Sequence, residues 1–156
     1  MESNIKPLDR HEALAIFSRE HHHCLLLCWK IRKGLSGDVS FERIQNYSNW
    51  FYIEYLKSLF KDEEKYLVPI LGKDHKLIKK MLSEHRRLRR LFKAEQDLEK
   101  ALHNLEEELE RNIRFKERDL FQVVQELATT QQLQNILNNR KEVDFVENLS
   151  DVFWED

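Results

Sequence analysis

Five polar side chains interrupt otherwise apolar helical stripes: His21, Glu63 (one turn beyond Leu59), His85, Asn112 and Lys116. Imidazoles and a carboxylate brought together could bind a transition metal, whereas a buried carboxylate beside an ammonium could close an ion pair. Either chemistry requires the five positions to meet. In antiparallel helices, residues at one level lie equally far in sequence from the turn between them, because equal lengths of helix climb and return. The midpoint of positions 21 and 61 is 41 and that of 61 and 85 is 73, both beside the glycine-bearing stretches at Gly34, Gly37 and Gly72. For 85 and 114 the midpoint is 99.5, which puts a third turn near Asp97 to Lys100 although no Gly or Pro marks it.

The elements that must carry these residues follow from caps and from apolar spacing of three and four. Asp9 and Glu12 form an Asp-x-x-Glu box, predicting helix 1 from about Arg10 to Lys33, with Gly34 as its stop. Its inner stripe is Leu14, Phe17, His21, Cys24, Leu25, Cys28 and Ile31. Ser40 caps helix 2, whose interior is read as Ile44, Phe51, Tyr52, Tyr55, Leu59, Glu63, Tyr66 and Leu67, ended by Pro69 and Gly72. Asp74 is the expected cap of helix 3, which buries Ile78, Met81, Leu82, His85, Leu88 and Phe92. Helix 4 buries Leu102, Leu105, Leu109, Asn112, Lys116, Leu120 and Val123, and a short fifth helix around Leu133 to Leu137 leads to a tail ending in Phe153 and Trp154. The fold class expected is all-α, an up-down-up-down four-helix bundle over residues 1–128 with a short C-terminal helix and tail over 129–156.

Composition agrees. The chain has 156 residues, 41% hydrophobic and 35% charged, with only 3 Gly and 2 Pro, which suits one soluble helical domain. A net charge of -2 supplies no overall field for nucleic acid or an anionic membrane, so neither partner is expected. The longest apolar run, Cys24 to Trp29, falls far short of the ~20 residues that span a bilayer. Without an apolar leader, a cytoplasmic location is expected. Cys24 and Cys28 make no disulfide framework; they are read as small hydrophobes in the core, or, with His21, as a set for a soft metal or an oxidant. His23 is read as exposed. Nine Lys or Arg between Lys73 and Lys93 precede seven acids between Glu95 and Glu110, and the two helices are expected to set these charges against each other.

Four stretches carry a resemblance: Ser18-Arg19-Glu20-His21-His22-His23; Leu59-Phe60-Lys61-Asp62-Glu63-Glu64 with Leu67-Val68-Pro69; Ser83-Glu84-His85; and Asn112-Ile113-Arg114-Phe115-Lys116-Glu117-Arg118 with Leu120-Phe121. In that order the chain resembles the hemerythrin-like family, also called the HHE cation-binding domain. The resemblance implies a four-helix bundle around a non-haem di-iron centre, with one His on helix 1, His-x-x-x-Glu on helix 2, one His on helix 3 and His-x-x-x-Glu (or Asp) on helix 4. It puts His21, Glu63 and His85 at ligand positions, but Leu59 and Asn112 stand where histidines are implied and Lys116 where a bridging carboxylate is implied.

The substitutions are coherent. Glu63 without metal is an uncompensated buried charge, and the Lys116 ammonium neutralises it in roughly the metal's place, with His21 or His85 as a neutral imidazole to accept from it. The resulting expectation is a non-enzymatic module for interaction or regulation, without cofactor, with a protein partner or self-association. The alternative is a metal-dependent protein that binds or senses oxygen or nitric oxide, using iron at His21, Glu63 and His85 as a two-His-one-carboxylate site.

Overall fold

The computed structural model describes residues 10–156, and all regular structure among them is helical. Helix α1 spans Glu12–Leu35. His11 caps it, its Nδ1 accepting from the Ala13 amide at 3.0 Å, so the helix opens two residues later than expected; Asp9 lies outside the described residues. Gly34 does not stop α1. A Cβ there would stand 2.8 Å from both Ile44 Cδ1 and Phe153 Cε1, so the missing side chain serves a close approach of α1 to the second helix and the tail. Leu27 rather than Leu25 fills the interior.

Helix α2 covers residues 41–71 and consists of Phe41–Phe51, a π turn at Tyr52–Leu56, and Lys57–Leu71. Ser40 caps it as expected. Pro69 is accommodated inside the last turns, and Gly72 at φ 94°, a conformation costly for any residue with a Cβ, ends the helix. Helix α3 is Lys76–Phe92, capped by His75 rather than Asp74: His75 Nδ1 accepts from the Leu77 amide at 3.1 Å. Asp97, in the left-handed region at φ 50°, closes the unmarked third turn. Helix α4 then covers residues 98–127 as Leu98–Phe115, a second π turn at Lys116–Leu120, and Phe121–Leu127. Helix α5, Thr130–Asn139, opens on a full capping box between Thr129 and Gln132, and a single 3-10 turn, Phe153–Glu155, ends the tail.

Both π turns shift the register by about one residue, since a π turn holds more residues than an α turn. Sequence spacing alone assumed an unbroken 3.6-residue repeat. Within the first bulge Leu56 is buried while Tyr55 sits at the edge; beyond the second, Phe121 and Val124 are buried where Val123 was expected. Helix α1 packs along α4, α3 packs along α4, and α2 meets the other three, around a core that includes Phe17, Phe51, Phe60 and Phe121. The basic α3 and acidic α4 pair less than expected. Arg87 meets Glu108 at 3.0 Å, but Glu106 and Glu110 are taken by Arg32 of α1. Among the described residues, no helix is long and apolar enough to cross a membrane.

Candidate functional site: an ionised layer in the bundle core

The structure brings His21, Glu63, His85, Asn112 and Lys116 into one buried layer, each at most 1% exposed. Glu63, from the middle of α2, is the hub. Its Oε1 accepts from the Lys116 ammonium at 2.6 Å, and its Oε2 faces His21 Nε2 at 2.6 Å. Lys116 lies on the second π turn and sits 4.6 Å over the Phe60 ring, so the apolar face on its other side is one that tolerates a cation. Burial alone would raise the Glu63 pKa, but Lys116 and His21 outweigh it and hold the carboxyl well below the ordinary 4.5.

His21 is held at both nitrogens. While Nε2 meets Glu63, Nδ1 meets Glu117 Oε2 at 2.6 Å, and the ring stacks on Phe121 with centroids 5.4 Å apart. A neutral imidazole has one N–H, so two carboxylate partners suit the imidazolium. Burial opposes that charge, yet Glu63 and Glu117 together raise the pKa above the ordinary 6.5. Here the structure corrects one expectation: His21 donates to two carboxylates and does not accept from Lys116.

Glu117 was not among the residues singled out from the sequence. An α-helical repeat places it one position off the interior stripe, but in the π turn it reaches the layer next to Lys116. Ser18 Oγ donates to its Oε1 at 2.9 Å, and Arg10 reaches its backbone carbonyl at 2.7 Å. Burial works against ionisation of Glu117, and His21 outweighs it, lowering its pKa.

His85 stacks flat on Phe60, centroids 3.8 Å apart, and its Nδ1 meets Glu64 Oε2 at 2.6 Å; Arg89 holds the same oxygen at 3.0 Å. Burial and these partners act in opposite senses on Glu64, and the partners win, lowering its pKa. His85 Nε2 lies 3.3 Å from Glu63 Oε1 but makes no hydrogen bond, and Asn112 Oδ1 is likewise without a partner, although Asn112 Nδ2 donates to Glu84 Oε1 at 2.9 Å. Spacing alone could not find Glu64 and Glu84 because they flank the layer and act on its members from the rim.

Leu59 does not join the layer's bonds. It lines a small void, of about 10 Å³, with His23, Cys24 and Phe145, enough for about one water molecule. His23, expected to be exposed, is half-buried and stacks on Phe145 with centroids 4.6 Å apart. Cys24 and Cys28 are buried free thiols; burial pushes the Cys24 pKa well up and the Cys28 pKa up to about 12, which keeps both protonated and unreactive.

This fold and layer define a class: an all-helical bundle built around ionisable side chains from its long helices. The family model described as the Hemerythrin HHE cation binding domain matches residues 12–124, and the chain belongs to that family. Neither the curated proteins nor the solved structures contain a match to it. The donor set does not fit the pair of iron ions that the resemblance implied. The cation needed beside Glu63 is already an ammonium, Leu59 offers no donor, and His21 is committed at both nitrogens. Among the described residues, no group of three or more His, Cys, Asp or Glu is placed to hold a metal ion.

Proposed function

We propose that the chain is a metal-independent member of its family, a non-enzymatic helical module for interaction or regulation, in which Lys116 stands where a cation would. One observation carries this reading: Lys116 Nζ lies 2.6 Å from Glu63 Oε1 with both side chains fully buried. An ammonium at that distance satisfies the charge a metal would satisfy, and its own charge repels a second cation. An up-down-up-down course of the four long helices belongs to the same reading, because it brings one polar residue from each helix to a common level. A cytoplasmic setting suits the two reduced, buried thiols.

A second reading, iron-dependent sensing of oxygen or nitric oxide at a reduced ligand set, has one observation in its favour. His85 Nε2 and Asn112 Oδ1 are buried polar atoms that make no hydrogen bond. Elemental analysis separates the two readings. Protein produced with abundant iron should carry well under one iron per chain, and two equivalents with an oxo-bridged absorption spectrum would refute the first reading. As a positive control, Leu59→His, Asn112→His and Lys116→Glu combined should raise iron content. A folded but empty triple variant would mean that the ligand positions are misassigned.

A further inference from the structure

The tail beyond α5 behaves as a bound peptide. Residues 140–149 form no regular structure and yet lie fixed on α1 and α2 by side-chain anchors. Arg140, 4% exposed, makes two bonds of 2.8 Å to Glu20 and one of 3.0 Å to Asp62. Phe145 inserts among His23, Trp50, Phe51 and Tyr55. The body also holds the tail's backbone: the Tyr55 hydroxyl accepts from the Val146 amide at 2.9 Å and donates to its carbonyl at 3.2 Å, and Glu20 Oε2 accepts from the Val143 amide at 3.3 Å. Further on, Arg43 takes Asp151 and Asp156, and Phe153 is buried against Tyr47.

The centre of this seat is Lys30. It is 7% exposed, its ammonium 2.6 Å from Glu147 and 2.9 Å from the Tyr47 hydroxyl, with the rings of Trp154, Tyr47 and Phe145 at 4.5, 5.1 and 5.5 Å. Of the groups that enclose this cation, Glu147, Phe145 and Trp154 all come from the tail. The body therefore presents a lysine whose aromatic and anionic partners are supplied by an incoming segment. Charge is complementary: residues 141–156 carry six acids and one lysine, and Arg19, Lys30 and Arg43 of the body each hold at least one of those acids.

Two features mark the tail as a replaceable occupant. Val146 and Leu149 are 68% and 75% exposed, and Val143, at the border of the small void, is still 44% exposed, so the segment leaves much of its apolar surface in water. Beneath Phe145 the small void remains, bordered by the unpartnered Nδ1 of His23 and by Leu59. Leu59 thereby acquires a role that a ligand histidine could not fill, as apolar floor of the seat.

We infer that the α1–α2 face is a recognition groove for acidic segments bearing Phe-x-Glu followed by Phe-Trp, filled here in cis by residues 140–156 and open in trans to a partner protein with the same pattern. This rests on the reading of the chain as an interaction module and names the partner's chemistry. The cis segment competes at the high effective concentration of a tethered ligand, about millimolar for a short connection, so the groove answers a partner only when that partner is better or the tether is loosened.

The test uses full-length protein and a fluorescein-labelled peptide of residues 140–156, with binding read by anisotropy. Full-length Phe145→Ala/Glu147→Gln should bind the peptide at least tenfold more tightly than the natural chain. A peptide carrying the same two changes should not bind, and Lys30→Met in the loosened chain should abolish binding. Full-length Glu147→Gln alone should give an intermediate gain, which keeps the test decisive if the double variant does not fold. Folded loosened variants that fail to bind the natural peptide would overturn the inference and make the tail a fixed part of the fold, while leaving the metal-independent reading untouched. A concentration-dependent dimer of the natural chain would overturn it in another way, by seating a second copy's tail where a foreign partner is assigned.

Discussion

Replacing Lys116 by Met tests the ionised layer most directly. Met keeps an unbranched stem of nearly the same volume and can lie on Phe60, so the packing change is small and the loss is that of the charge. What remains is Glu63, fully buried, with His21 at 2.6 Å as its one strong partner. Removing one member of a buried pair typically costs about 3–5 kcal/mol. Proton uptake caps that figure. Glu63 can escape by protonating, and raising its pKa from 4.5 to pH 7 corresponds to about 3.4 kcal/mol at 1.36 kcal/mol per unit. We therefore expect about 3 kcal/mol at pH 7, or about 6–12 °C in melting temperature for a chain of this size. At pH 4.5 the penalty should shrink, because protonation of Glu63 then costs less. Adding Glu63→Gln to Lys116→Met should recover most of the loss, since the stranded charge is gone. Urea unfolding followed by circular dichroism at the two pH values measures all three. A loss below about 0.5 kcal/mol at pH 7, or one that Glu63→Gln does not relieve, would refute the view that these two groups neutralise each other.

Two further outcomes follow from the same geometry. The pH profile of stability should fall at both ends. Glu63, Glu64 and Glu117 have folded pKa values lowered from 4.5, so the stability they contribute is present above 4.5 and is lost as pH drops through the folded values. His21 has a folded value raised above 6.5, so its contribution is complete below 6.5 and is lost as pH climbs through the raised value. Denaturant midpoints across pH 3 to 9 in natural protein and in His21→Gln should show the alkaline decline flattened in the variant, and an unchanged decline would exclude His21 as its source. Gly34→Ala should destabilise despite Ala's helix propensity advantage of about 1 kcal/mol. The new Cβ meets Ile44 and Phe153 at 2.8 Å, where overpacking costs about 1–3 kcal/mol, and Phe153→Leu should partly rescue it; a stabilised Gly34→Ala would show that the tail gives way there.

The number of long helices, the Ser40 cap and the common level of His21, Glu63, His85, Asn112 and Lys116 were legible in the chain itself, because apolar periodicity and turn midpoints depend on local geometry. The same local signals put Leu59, Asn112 and Lys116 in plain view at positions where the family resemblance implies metal donors, since that is a matter of side-chain type. They misjudged Tyr55 and Val123, because one π turn in each of α2 and α4 breaks the repeat that the count relied on. A π turn depends on what the widened helix packs against, and nothing in the residues from Lys116 to Leu120 announces it. Only the folded chain decided that Glu117 would share His21 with Glu63, that Glu64 would hold His85, and that Lys30 would lie under the rings of a tail more than 100 residues away. These partners lie on different helices or on the tail, and distances between them are set by how the helices pack, which single-residue spacing does not encode.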